Sequence, residues 1–246
     1  DSTFLFAYLL VISLATLILA GLMGWRGLIL SSLVFVGMYS LPYIFSRHSD
    51  VGNVYSADAP MLLNFAYVFA MVYLVSGMVA VVRKGVESAE DAKNELVLAV
   101  LNDLFIFLWI TGVSVKEWHA LIYSAWAIIF AVCSFIAFRL SSKLHPFYAY
   151  GSVAVAFIAA ATAALLSGEV LVIAFTIEVL LLVAVVLALT KNIGVASSVL
   201  LLFFVPVMLS FASMTRYLYS QELFSKDFFV LVVLALSLIF AGRLIG

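Results

Sequence analysis

The sequence predicts an all-α fold, a polytopic transmembrane bundle of about nine helices, from its composition, its apolar runs and the placement of its charges. Of 246 residues, 67% are hydrophobic and 10% charged, against roughly 45–50% and 25% in an average soluble domain. The apolar residues form uninterrupted runs near the length of about 20 residues needed to cross roughly 30 Å of hydrocarbon at about 1.5 Å per residue. A barrel strand instead alternates over about ten residues. Most charges fall between the runs.

The first run, 4–24, has no basic stretch before it and is too long for a signal-peptide core, so it is a retained span. Residue 1 is Asp rather than Met, which fits a processed chain or a piece of a longer one. A second run, 27–46, follows a turn at Trp25 and Arg26. Residues 47–60, with Arg47, His48, Asp50, Asp58 and Pro60, form a loop, and the third run is 61–82. Residues 83–95 mix both signs of charge and have room for a short surface helix. The fourth to seventh runs are 96–114, 118–138, 145–167 and 170–190. An eighth, 193–213, contains Pro206, which removes a backbone donor and kinks a helix without ending it in a bundle. The ninth is 227–245. One transmembrane domain over 1–246 is expected, as a whole protein or as a portion of a longer multi-pass chain.

With nine spans, Arg47, Lys116, Arg216 and Lys226 share the side of the N-terminus, whereas Arg26, Arg83, Lys84, Lys93, Arg139, Lys143, Lys191 and Arg243 take the other. Eight against four places the richer side in the cytoplasm, the N-terminus outside and the C-terminus inside. Trp25 and Trp118 sit at run boundaries, where aromatics anchor at headgroup level. Small residues predict the packing seams. Ala120, Ser124, Ala127, Ala131 and Ser134 share one face of the fifth run, and Ser152, Ala156, Ala160 and Ala164 follow at strict four-residue steps in the sixth, so the two should pair antiparallel.

Motifs for soluble chemistry are missing. The chain has no H-E-x-x-H, no phosphate-binding G-x-x-x-x-G-K-[ST] and no G-x-S-x-G. Its histidines, His48, His119 and His145, lie in a loop or at run ends, so no paired haem ligation is expected within the bilayer. The lone Cys133 makes no intrachain disulfide, and a net charge of −1 without a basic block argues against nucleic acid. No catalytic residue, metal or cofactor is expected. Asp50 and Asp58 leave a minor alternative, a membrane enzyme acting on a lipid-linked substrate at the outer loop.

Asp103 and Glu178 stand out because they lie seven or eight residues inside apolar runs that enter from opposite faces. A charged group at the bilayer centre costs about 2.5–3.5 kcal/mol on insertion scales, so such residues usually face a bundle interior and often mark ion paths. Brought together, the two carboxylates would share a proton or hold a cation. Held apart, they would hydrogen-bond to Asn102, Thr176, Ser152 or Thr162 and serve helix association. Asp103, Glu178, Asn102 and Thr176 are therefore the candidate intramembrane polar or proton-coupling residues.

The order of Leu101, Asn102 and Asp103, an aromatic helix reaching Trp118 and His119, then Arg139, Lys143, Gly168, Glu169 and Thr176-Ile177-Glu178, with a last stretch from Leu223-Phe224 to Arg243, carries a resemblance. Over roughly residues 60–245 the chain resembles the bacterial multi-pass membrane proteins of domain of unknown function 2339. Thr176 stands where that family is expected to carry Trp, and family members are typically much longer. The resemblance implies a bacterial inner (plasma) membrane, with Asn102 and Glu178 as matching polar positions of unknown role. The expected function is a structural or assembly component of the cell envelope, with the bilayer and a membrane-protein partner or second copy around it. The alternative is a proton- or cation-coupled transporter using the intramembrane carboxylates.

Overall fold

A computed structural model describes residues 2–23, 26–45, 59–84, 89–141, 144–191, 193–219 and 225–245. The loop with His48, Asp50 and Asp58 and the connectors at 85–88 and 142–143 lie outside the described residues. The described backbone is helical throughout apart from short turns, as expected of chains whose peptide groups must find partners without water.

The elements are α1 (Ser2–Met23), α2 (Arg26–Phe45), α3 (Ala59–Lys84), α4 (Ala89–Val113), α5 (His119–Ser141), α6 (Leu144–Leu165), α7 (Gly168–Thr190), α8 (Ile193–Val199), α9 (Phe204–Tyr219) and α10 (Lys226–Ile245). Among the described residues, nine helices, counting α8 and α9 as one span, are long and apolar enough to cross a membrane. Two details differ from the hydropathy pattern. α4 begins at Ala89, so the charged stretch expected as a separate surface helix is its first turns. Hydropathy marks the apolar part of a helix, whereas backbone hydrogen bonding continues into polar residues. The eighth span is not regular α-helix throughout, a 3₁₀ turn over Leu200–Phe203 joining α8 to α9. Pro206 offers no amide to the Leu202 carbonyl and crowds it, and this tighter turn spans that carbonyl.

Short connections close the remaining joints. Between α4 and α5 the Ser114 amide bonds the Ile110 carbonyl at 3.0 Å, and a 3₁₀ turn, Lys116–Trp118, leads into His119. Gly168 opens α7 at φ 61°, a left-handed conformation that glycine adopts without a Cβ penalty. Lys191 closes the helix in the same region, its amide bonding the Leu187 carbonyl at 2.9 Å.

The chain forms two compact units, Asp1–Ala161 and Thr162–Gly246. In the first, Phe6 of α1 is fully buried and meets Tyr43, Phe69 and Trp109 edge-on, with centroids 5.2, 6.5 and 5.9 Å away, so one ring ties α1 to α2, α3 and α4. A second aromatic cluster joins α5 and α6: Phe157 packs 5.7 Å from Phe130, 6.0 Å from Tyr123 and 6.4 Å from Trp126. A glycine allows one close helix approach. A Cβ on Gly112 of α4 would lie 2.9 Å from Ile44 Cγ2 and 3.0 Å from the Ile44 carbonyl of α2.

α5 and α6 are antiparallel neighbours, with Ser134 Oγ donating to the Phe147 carbonyl at 2.8 Å and Gly151 closing on the same hydroxyl. The stripe expected on α6 is not the seam. Ser152, Ala156 and Ala164 are exposed and only Ala160 of the four packs, half-buried, against the core, while Tyr150, Val153, Ala154, Phe157 and Ala161 are buried. Large aromatic side chains make more contacts than methyl groups, and Tyr150 and Phe157, seven residues apart, turn that face inward. On α5, Ala120, Ala127 and Ser134 are buried, Ser124 is half-buried and Ala131 is exposed.

In the second unit, Phe203, Leu234 and Ala241 form the core, with Val179, Leu180, Leu200 and Val207 against them. Small residues bring the helices close: Ala196, Ser213 and Ala241 are almost wholly inaccessible.

Candidate functional site

The polar groups of the first unit line up on α4. Glu95, Asn102 and Trp109 are seven residues apart, which returns them to one helix face, and all three are buried. On the facing side of α3 the matching positions are small. Asn102 Nδ2 donates to the Ala70 carbonyl at 3.0 Å. Seven residues along α3 lies Gly77, where a Cβ would sit 3.2 Å from Glu95 Oε1 and 2.7 Å from Tyr150 Oη. Tyr150 of α6 donates its hydroxyl to Glu95. A carboxylate on α4 and a phenol on α6 thus meet over a glycine on α3.

Glu95 is the carboxylate that sequence reasoning missed, because a charge next to a polar connector reads as part of that connector. It is 3% exposed. The seven-residue step back from Asn102 was the signal that could have placed it inside.

Asp103, the next residue after Asn102, is rotated off the buried face and is half-buried. It sits at the centre of the apolar span Lys93–Val113, ten residues from either end. Among the described residues its carboxylate has no hydrogen-bond or ion-pair partner.

Asn102 leaves a loose end of its own. Its Oδ1 is buried without a hydrogen-bond partner among the described residues, as is Trp109 Nε1 two turns further on.

Hydroxyls link the remaining helices of this unit. Tyr73 of α3 lies 2.7 Å from Ser32 of α2 and donates to Ser13 of α1 at 3.3 Å. Tyr123 of α5 meets Thr111 of α4 at 2.8 Å, and because Thr111 gives its own proton to the Phe107 carbonyl, the phenol is the donor. His119 Nε2 faces the Ser114 carbonyl at 3.3 Å, which makes that nitrogen a donor and closes the turn before α5.

In the second unit Glu178 is half-buried and accepts a hydrogen bond from Thr162, at the end of α6, one of its expected partners. Thr176 does not join them. It is 1% exposed and donates back to the Val172 carbonyl of its own helix at 2.7 Å. Ser152 likewise bonds its own helix, at the Ala149 carbonyl. Asp103 belongs to one compact unit and Glu178 to the other.

Chemically, these contacts clasp helices. Asn102, Tyr73, Tyr123, Tyr150 with Glu95, and Thr162 with Glu178 join one helix to a neighbour, a bond averaging about 0.6 kcal/mol in a membrane, whereas Thr176, Ser152 and His119 bond locally. No group of three or more His, Cys, Asp and Glu side chains able to hold a metal occurs among the described residues. Comparison with protein-family models, curated proteins and solved structures finds no match to the chain.

Proposed function

We propose that this multi-pass membrane protein is a structural or assembly component of a bacterial cell envelope, sitting in the inner membrane with its N-terminus outside and its C-terminus in the cytoplasm. The observation that carries the reading is the use made of the interior polar groups. Asn102, Tyr73, Tyr123, Tyr150 with Glu95, and Thr162 with Glu178 all join one helix to another. The excess of Lys and Arg on the side of the connectors at 85–88 and 142–143 supports the orientation. The resemblance to domain of unknown function 2339 supports the compartment.

The test is the mass of the native particle. Extracted gently from its own membrane, the protein should migrate in a particle larger than one 26.8 kDa chain with its detergent. Migration as a lone chain under every mild condition would contradict the assembly role.

The second reading is a proton- or cation-coupled transporter. What favours it is Asp103, a mid-span carboxylate without a partner among the described residues. A proton path through it predicts flux that disappears in Asp103→Asn.

A further inference from the structure

Asp103 stands at the edge of an apolar stripe on α4. Leu96, Val100 and Leu104 follow one another at four-residue steps and are 44%, 45% and 48% exposed, and Asp103 adjoins them at mid-span. Asp103 has no donor among the described residues, and a carboxylate ionised at that depth calls for a counter-charge. Among the described residues every Lys and Arg lies in a turn or within about one turn of a helix end, so none supplies a charge there. The nearest on α4, Lys93, is ten residues away, about 15 Å along the helix. A second copy has the same deficit.

The geometry points to a docking face for a transmembrane helix of a different protein, one with a Lys or Arg at its own mid-span to pair with Asp103, its apolar residues covering Leu96, Val100 and Leu104. The inference rests on the assembly reading above and names the chemistry of the partner. Charge complementarity sets both the depth and the sign, and the apolar stripe supplies the surface on which helix backbones meet.

A photo-activatable amino acid in place of Val100 or Leu104 of the full chain, irradiated in native membranes, tests it. The expected adduct joins α4 to an apolar segment of another protein containing an intramembrane Lys or Arg. Asp103→Ala should lower its yield by about tenfold or more, as losing one partner of a buried charge pair does. Exchanging the charges, with Asp103→Lys here and Asp in place of the partner's basic residue, should restore it, which separates lost pairing from lost folding. Adducts with lipid alone, with a second copy or with a helix lacking an intramembrane base would overturn the inference, as would a yield indifferent to Asp103→Ala. A large native particle with such adducts leaves the assembly reading standing and this inference refuted. A lone chain in the native particle refutes both.

Discussion

Tyr150 donates its hydroxyl to Glu95 directly over Gly77, so that α3, α4 and α6 meet at one point. A methyl group at residue 77 would lie 2.7 Å from the phenol oxygen, closer than non-bonded atoms approach. Gly77→Ala should therefore destabilise the purified protein by about 1–3 kcal/mol, the usual cost of overpacking. Removing the phenol oxygen with Tyr150→Phe should relieve part of the clash, so the double variant loses less than the two single losses added together. Thermal unfolding of the four proteins in one detergent measures the coupling, and strict additivity would show that the three residues do not meet.

Gly112 offers a sharper case, because part of what it approaches is backbone. The Ile44 carbonyl, 3.0 Å from a Cβ at residue 112, cannot swing away as a side chain can. Gly112→Ala should cost at least as much as Gly77→Ala, about 1–3 kcal/mol or more. Gly37→Ala, on the same helix as Ile44 but with nothing within 4 Å, should stay within about 0.5 kcal/mol of the parent. Equal effects at the two positions would contradict the close approach of α2 and α4.

Asn102→Leu removes the donor to the Ala70 carbonyl and relieves Oδ1 of burial without a partner among the described residues. The two effects oppose each other. The expected change is small, within about 1.7 kcal/mol, the largest interhelical polar coupling measured in one membrane protein. A collapse of folding in this variant, seen by size-exclusion chromatography, would mean that Asn102 does more than clasp α3.

Pro206→Ala returns an amide that can bond the Leu202 carbonyl and allows α8 to run on into α9. Amide hydrogen exchange over residues 200–206 should slow by at least about tenfold as the 3₁₀ turn becomes regular helix. Unchanged exchange would place the cause of the turn in the packing of Phe203 against its neighbours rather than in the proline.

Legibility differed sharply between the spans and the site. All nine spans can be read from the sequence because continuous apolar runs have few alternatives in a bilayer. Helix ends cannot, since hydrogen bonding carries α4 back through its charged residues to Ala89. The inward faces were harder still. Small residues permit close approach but do not force it, so the regular stripe through Ser152 and Ala156 ends up exposed while Tyr150 and Phe157 take the interior. Glu178 finds Thr162, a partner that sequence reasoning had named, but Glu95 stayed hidden because its partner, Tyr150, is 55 residues away in the chain.

Proton flux into proteoliposomes most directly tests the central claim that the interior polar groups serve to join helices and that the intramembrane carboxylates carry no ions. Under an imposed pH gradient, the reconstituted protein should admit protons no faster than protein-free vesicles, and Asp103→Asn and Glu178→Gln should leave that rate unchanged. Flux well above the empty vesicles that either substitution abolishes would contradict the account and establish the protein as a transporter.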